Sequence, residues 1–155
     1  MIVLRRSAFR ALFFWIALAI LPASAEDFTK GAAVIETVSG EARRFAMEYA
    51  ITVGEREQGL MGRKLLGPDE GMIFDFGATQ SAVMWMKNTI LSLDMLFVNE
   101  KGEVVGVAER TQPYSEDIIP SPGPVRYVIE INGGRAQALG ITPGSRVVQG
   151  LRPPS

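Results

Sequence analysis

The 155-residue chain contains no cysteine and no histidine. Without cysteine there is no disulfide and no thiolate, so the fold must be held by its own hydrophobic core. Without histidine, Ser-His-Asp and Cys-His catalysis are excluded, together with the usual Cys/His zinc sites and imidazole proton transfer. Any reaction would have to run on Asp, Glu, Lys, Arg, Tyr, Ser or Thr. A concentrated basic face is missing too: Lys and Arg are scattered and number 16 against 17 Asp and Glu. Phosphate backbones are bound by clustered basic groups, so nucleic acid is not expected as a partner.

Long apolar runs are equally scarce, and the one present lies near the N-terminus. Ala11 to Leu21 is unbroken and apolar, follows Arg5, Arg6 and Arg10, and ends at Pro22 before Ala23-Ser24-Ala25. A positive start, a short apolar stretch and a small-x-small site form the pattern of a signal peptide, with cleavage expected after Ala25. The run is shorter than the roughly 20 residues of a membrane-spanning helix. Phe9 follows the Arg5-Arg6 pair by three residues and the apolar stretch is strong, which favours the general secretory route over twin-arginine export. The expectation is a periplasmic or secreted protein that meets the membrane only through this segment, with no lipid anchor because there is no cysteine. The leader takes three arginines and no acid with it, leaving 13 Lys and Arg against 17 acids, a formal charge of −4 over 130 residues. That length suits one domain with one core. Residues 26–32 read as a linker, 33–150 as the domain and 151–155 as a tail.

Within the domain, apolar alternation predicts strands over 32–38 and 44–51, turning at Ser39-Gly40-Glu41. Thr52-x-x-Glu55 has the form of a capping box and predicts a short helix over 53–61, weakened by Gly54 and Gly59. Further strands are expected over 71–76, 81–86, 93–98, 103–109 and 126–131, with a hairpin turn at 99–102 and a last strand running through Val147. In the 81–86 stretch, Met84 and Met86 share one face while Val83, Trp85 and Lys87 share the other. A second short helix is expected at 135–139. Residues 110–124 hold four prolines and read as a long loop, either a stiff connector or a rim carrying Tyr114. Seven or so short strands with two small helices predict a mainly β (α+β) antiparallel sandwich or flattened barrel.

Chemistry concentrates in two strings. Trp85-Met86-Lys87-Asn88-Thr89, followed by Asp94, places polar groups in an otherwise apolar stretch; Arg56-x-x-Gly59-Leu60-Met61-x-Arg63 supplies two arginines seven residues apart. If the helix persisted, both arginines would project from one face. In the same order and spacing, Gly71-Met72-Ile73-Phe74, Leu93-Asp94 and Ile129-Glu130-Ile131-Asn132-x-Gly134 complete a pattern. With these motifs the chain, from about Ala33 to Val148, resembles the family called domain of unknown function 192. It departs from that family at Gly62, where a bulky aromatic is common, which would loosen packing beside Arg63. The resemblance implies a compact, mainly β, often secreted domain and supplies no activity.

Asp94 and Glu130 interrupt apolar strands, and a carboxylate facing a core is expected to meet a cation or backbone donors. One reading is structural: Arg56 or Arg63 pairs with Asp94 or Glu130 and pins the helix to the sheet. The other is a pocket in which Arg56, Arg63 and Lys87 bind a small polar or anionic ligand, with Asn88, Thr89 and Asp94 orienting it and Glu130 positioning a cation. A small enzyme acting on a carbohydrate or carboxylate through Asp94, Glu130 or Lys87 is the alternative from another class, since paired carboxylates roughly 5 to 10 Å apart hydrolyse glycosides and a desolvated lysine forms Schiff bases. An envelope interaction module with a structural ion-pair cluster is a third. Met61, Met72, Met84, Met86 and Met95 bring five thioethers into 35 residues; these suit Cu(I), but alternating methionine on a strand is what a buried face looks like. No metal site or cofactor is therefore expected.

Overall fold

The computed structural model describes residues 27–154, so the expected leader lies outside the described residues. Nine elements follow in order: β1 (Thr29–Glu36), β2 (Ala42–Ala50), α1 (Val53–Gln58), β3 (Glu70–Met84), β4 (Leu93–Val98), β5 (Val104–Ala108), β6 (Ile119–Asn132), α2 (Arg135–Leu139) and β7 (Arg146–Gln149). The strands form one seven-stranded sheet in the order β5-β4-β6-β3-β2-β1-β7. Every neighbouring pair is antiparallel except β2 and β3, whose parallel pairing requires the crossover that carries α1. The sheet curls into a flattened half-barrel whose outer strands meet at one end. There Glu103 bridges Arg146, and the amides of Val104, Gly144 and Val147 donate to Ser145, Val104 and Gly102. This is a single curled sheet, not two stacked ones.

Two hydrophobic cores follow from the alternation. The inner one draws on all seven strands, including Ile35, Phe45, Ile73, Leu96, Ile129 and Val147, and Ala136 of α2 caps it. The outer one lies on the opposite face of β3, β4 and β6, where Met72, Phe74, Met95 and Val128 pack under Leu60 and Met86. β4 is buried on both faces and carries no polar alternation apart from Asp94.

Three expected boundaries change, each for a local reason. The expected linker is mostly strand, since β1 begins at Thr29 and pairs there with Tyr49. The two strands expected over 71–76 and 81–86 are one, β3, which bends through an irregular register between Asp75 and Gln80. Gly77 turns there at φ 77°, and its amide donates to the Asp75 carboxylate at 2.8 Å. Residues 119–124 of the expected 110–124 loop are also strand. Pro120, Pro122 and Pro124 sit in β6 where it pairs with β3 alone; pairing with β4 starts at Tyr127. Proline is tolerated where one side of a strand needs no donor. No helix among the described residues is long and apolar enough to cross a membrane.

Candidate functional site

Glu130 stands near the C-terminal end of β6, opposite Met72 of β3 on one side and Met95 of β4 on the other. Both methionines are fully buried and Glu130 is only 4% exposed. Neither a hydrogen bond nor a nearby charge offsets this burial, which alone pushes its carboxyl group up to about 8. At neutral pH it is therefore mostly a neutral acid, able to donate as well as accept. No fully enclosed polar side-chain atom among the described residues lacks a partner. The Glu130 carboxyl is reached through a half-open groove that it helps to line.

One wall of the groove comes from α1. Thr52 caps this helix: its hydroxyl accepts from the Glu55 amide at 3.1 Å, and the Glu55 carboxylate accepts from the Thr52 and Ile51 amides at 2.7 and 2.8 Å. Those backbone donors, the Thr52 amide foremost, hold the Glu55 carboxyl below its ordinary range. The helix stops at Gly59, where φ is 45° and a Cβ would stand 3.1 Å from the Phe74 ring. Leu60 is thereby seated against the outer core. Leu60, Phe74, Phe76, Val83, Met84 and Trp85 supply apolar surface, and Arg56 and Lys87 supply positive charge. The Arg56 guanidinium donates to the carbonyls of Ile51 and Asp75 and lies 5.6 Å from the centre of the Phe76 ring. The Lys87 ammonium sits 5.5 Å from the centre of the Trp85 ring. Neither cation belongs to an ion pair among the described residues.

The residues expected to form one cluster are divided by the fold. Arg56, Lys87, Thr89 and Glu130 share the groove. The Thr89 hydroxyl is committed to the Lys87 carbonyl at 3.1 Å. Asn88 adopts φ 54°, accepts the Gly62 amide on its carbonyl, and does not line the groove. Gly62 itself has φ 71° with open space where a side chain would start, so glycine suits that turn. Arg63 points elsewhere: α1 ends five residues before it, and its guanidinium pairs with Glu48 at a separate hollow that also contains Lys30 and Glu70.

Asp94 is fully buried and bound by three backbone amides, those of Arg110 at 2.7 Å and of Gly134 and Ala136 at 2.8 Å. It ties β4 to the start of α2 and to the Arg110 turn, where φ is 46°. The expected pairing of Arg56 or Arg63 with Asp94 or Glu130 does not occur. Nor can the two acids act together. In the β4–β6 ladder Asp94 is opposite Ile131 while Met95 is opposite Glu130, and successive residues face opposite sides of a sheet. The carboxylate-pair version of the enzyme reading therefore lacks its geometry. Met72, Met86 and Met95 are fully buried, and the Met86 sulfur accepts from the Thr111 hydroxyl at 3.1 Å, so these methionines serve the core.

The apolar walls were the part missed at the level of sequence. Their signal was present in the Val83, Trp85, Lys87 alternation: Val83 and Trp85 are 58% and 49% exposed, unusual for large apolar side chains on a strand and its extension.

The family model of domain of unknown function 192, described as an uncharacterised ACR family, matches residues 34–149. The chain belongs to this family. Two solved structures are similar to this member of the domain of unknown function 192 family, each with a TM-score of 0.76. One, a Sinorhizobium meliloti 1021 protein put forward as a transcription regulator, is 45% identical, and the match covers 77% of this chain and 93% of that one. The other, from Novosphingobium aromaticivorans DSM 12444 and of unknown function, is 39% identical and the match covers 84% and 91%. No curated protein matches the chain significantly.

Proposed function

We propose that the protein is an exported binding protein for a small anion with an apolar body, held in the groove between α1 and the Val83–Thr89 segment. The observation that carries this reading is a buried carboxyl group without a hydrogen-bond partner lying in a largely apolar groove with two cations that form no ion pair among the described residues. A neutral Glu130 does not repel an anion, and Lys87 and Arg56 attract one. Phe76, Trp85 and Leu60 offer surface to an apolar body, in the mixture usual for small-molecule sites. Export follows from the leader pattern at residues 1–25. The role of transcription regulator put forward for the S. meliloti protein does not suit this chain, whose acids outnumber its basic residues.

Thermal shift of the purified protein tests the proposal with short alkyl carboxylates, sulfates and phosphates, set against the alcohols of equal chain length. A ligand at 100 times its dissociation constant adds about 2.7 kcal/mol, a shift of several degrees for a domain of this size. The expected result is stabilisation by at least one anion, absent with its alcohol and lost in Lys87→Ala. Stabilisation by none of them, or a shift that survives Lys87→Ala unchanged, contradicts it.

A further inference from the structure

The groove offers few donors for an anionic head. Thr89 has given its hydroxyl proton to the Lys87 carbonyl, and Arg56 is partly engaged by two backbone carbonyls. The Glu55 amide at the start of α1 is taken by the Thr52 hydroxyl, and Val53 and Gly54 do not line the groove, so no ring of helix N-terminal amides of the kind phosphates take faces it. What is left unengaged is the Glu130 hydroxyl on the floor and the Lys87 ammonium at the side, together with the remaining Arg56 N–H groups. A phosphate presents three strong acceptor oxygens and up to two charges, more than this set matches. A sulfate is too weak a base to take a share of a carboxyl proton. A carboxylate has one charge and two oxygens, and beside a neutral carboxylic acid it forms the short O–H···O⁻ bond that two carboxyl groups make around one proton.

We infer that the groove's ligand is a monocarboxylic acid with an apolar body, its carboxylate hydrogen-bonded to the buried Glu130 side chain and balanced by Lys87. This deepens the anion-binding reading above and rests on it. The charged groups facing Glu130 across the groove are Arg56 and Glu57 of α1 and Lys87 of the segment after β3; β3 and β4 face it with Met72 and Met95. Once Glu130 gives up its proton, two carboxylates oppose each other in an apolar site, and the complex is lost. Burial sets that loss at a pH near 8.

The test is calorimetric titration of the protein expressed from the full chain with octanoate, octyl sulfate, octyl phosphate and octanol, from pH 6.5 to 9.5. The expected result is octanoate binding at least tenfold tighter than the other three at pH 6.5, its affinity falling about tenfold per pH unit above 8. In Glu130→Gln, which keeps a donor but has no proton to lose, affinity stays flat across the same range. Octyl sulfate or octyl phosphate binding as tightly as octanoate, or octanoate affinity unchanged to pH 9.5, overturns the carboxylate assignment and leaves the anion groove standing. Octanol binding as tightly as octanoate, or no binding by any of the four, overturns both. The comparison of head groups is made in the unmodified protein, so it does not depend on the variant folding.

Discussion

Gly71 of β3 lies so close to Glu130 of β6 that a Cβ there would stand 2.5 Å from the Glu130 backbone oxygen. The side chain of Ile131 and the Met47 sulfur would also be within about 3 Å, at 3.0 and 3.1 Å. The absence of a side chain at Gly71 is thus what lets the two strands close over the position that holds the groove's acid. Gly71→Ala is expected to push β6 away and to destabilise the fold by roughly 1–3 kcal/mol, the range for overpacking a filled core. Urea unfolding checks this, with Gly123→Ala as a comparison for a glycine whose Cβ would meet nothing and whose φ lies outside the left-handed region.

Stability should respond to the Glu130 proton. In the unfolded chain its carboxyl titrates near the ordinary value of about 4.3; in the folded chain it keeps its proton up to about 8. Between those values the folded state binds more protons than the unfolded one, so stability falls as pH rises. The contribution is complete below about pH 4 and is lost through pH 8, a change on the order of a few kcal/mol. Glu130→Gln lacks this slope. Relative to the native chain it should gain stability steadily from pH 5 to 9, as read from unfolding midpoints.

Asp94 is expected to matter for folding and not for the groove. Asp94→Ala leaves the amides of Arg110, Gly134 and Ala136 without their acceptor. Buried unsatisfied donors cost about 1–3 kcal/mol each, so a total loss of roughly 3 kcal/mol or more is expected in urea unfolding. Any molecules that remain folded should bind the groove ligand as the native protein does.

The cations of the two sequence strings should separate cleanly. Lys87 touches the Trp85 ring and little else, so Lys87→Ala should change stability by less than about 1 kcal/mol while lowering ligand affinity at least tenfold. Arg63→Ala should leave affinity unchanged, because its partner Glu48 lies at a different hollow. Arg56→Ala should lower both, since Arg56 also holds the Ile51 and Asp75 carbonyls. Melting curves with and without ligand on the three variants distinguish these outcomes.

Local signals in the chain read through to the structure where the determining contact is a few residues away. The Thr52–Glu55 capping box, the turn at 99–102 and the buried Met84 and Met86 beside exposed Val83 and Trp85 are of this kind. Contacts set by register were not legible. Prolines 120–124 argue for a loop unless β6 is known to have a neighbour on one side only. Arg56 and Arg63 read as one face until Gly59 ends α1 between them. Asp94 and Glu130 look equivalent in sequence, each an acid in an apolar strand. One meets three amides at the inner end of the sheet and the other meets none on the outer face, a difference created by a one-residue offset across the β4–β6 ladder.

The most direct measurement is a crystal structure of the protein soaked with octanoate near pH 6.5. The account predicts density in the groove, with the head group against Glu130 and Lys87 and the chain along Leu60, Phe76 and Trp85. Density confined to the hollow beside Arg63 and Glu48, or a groove that stays empty at saturating octanoate, would contradict it.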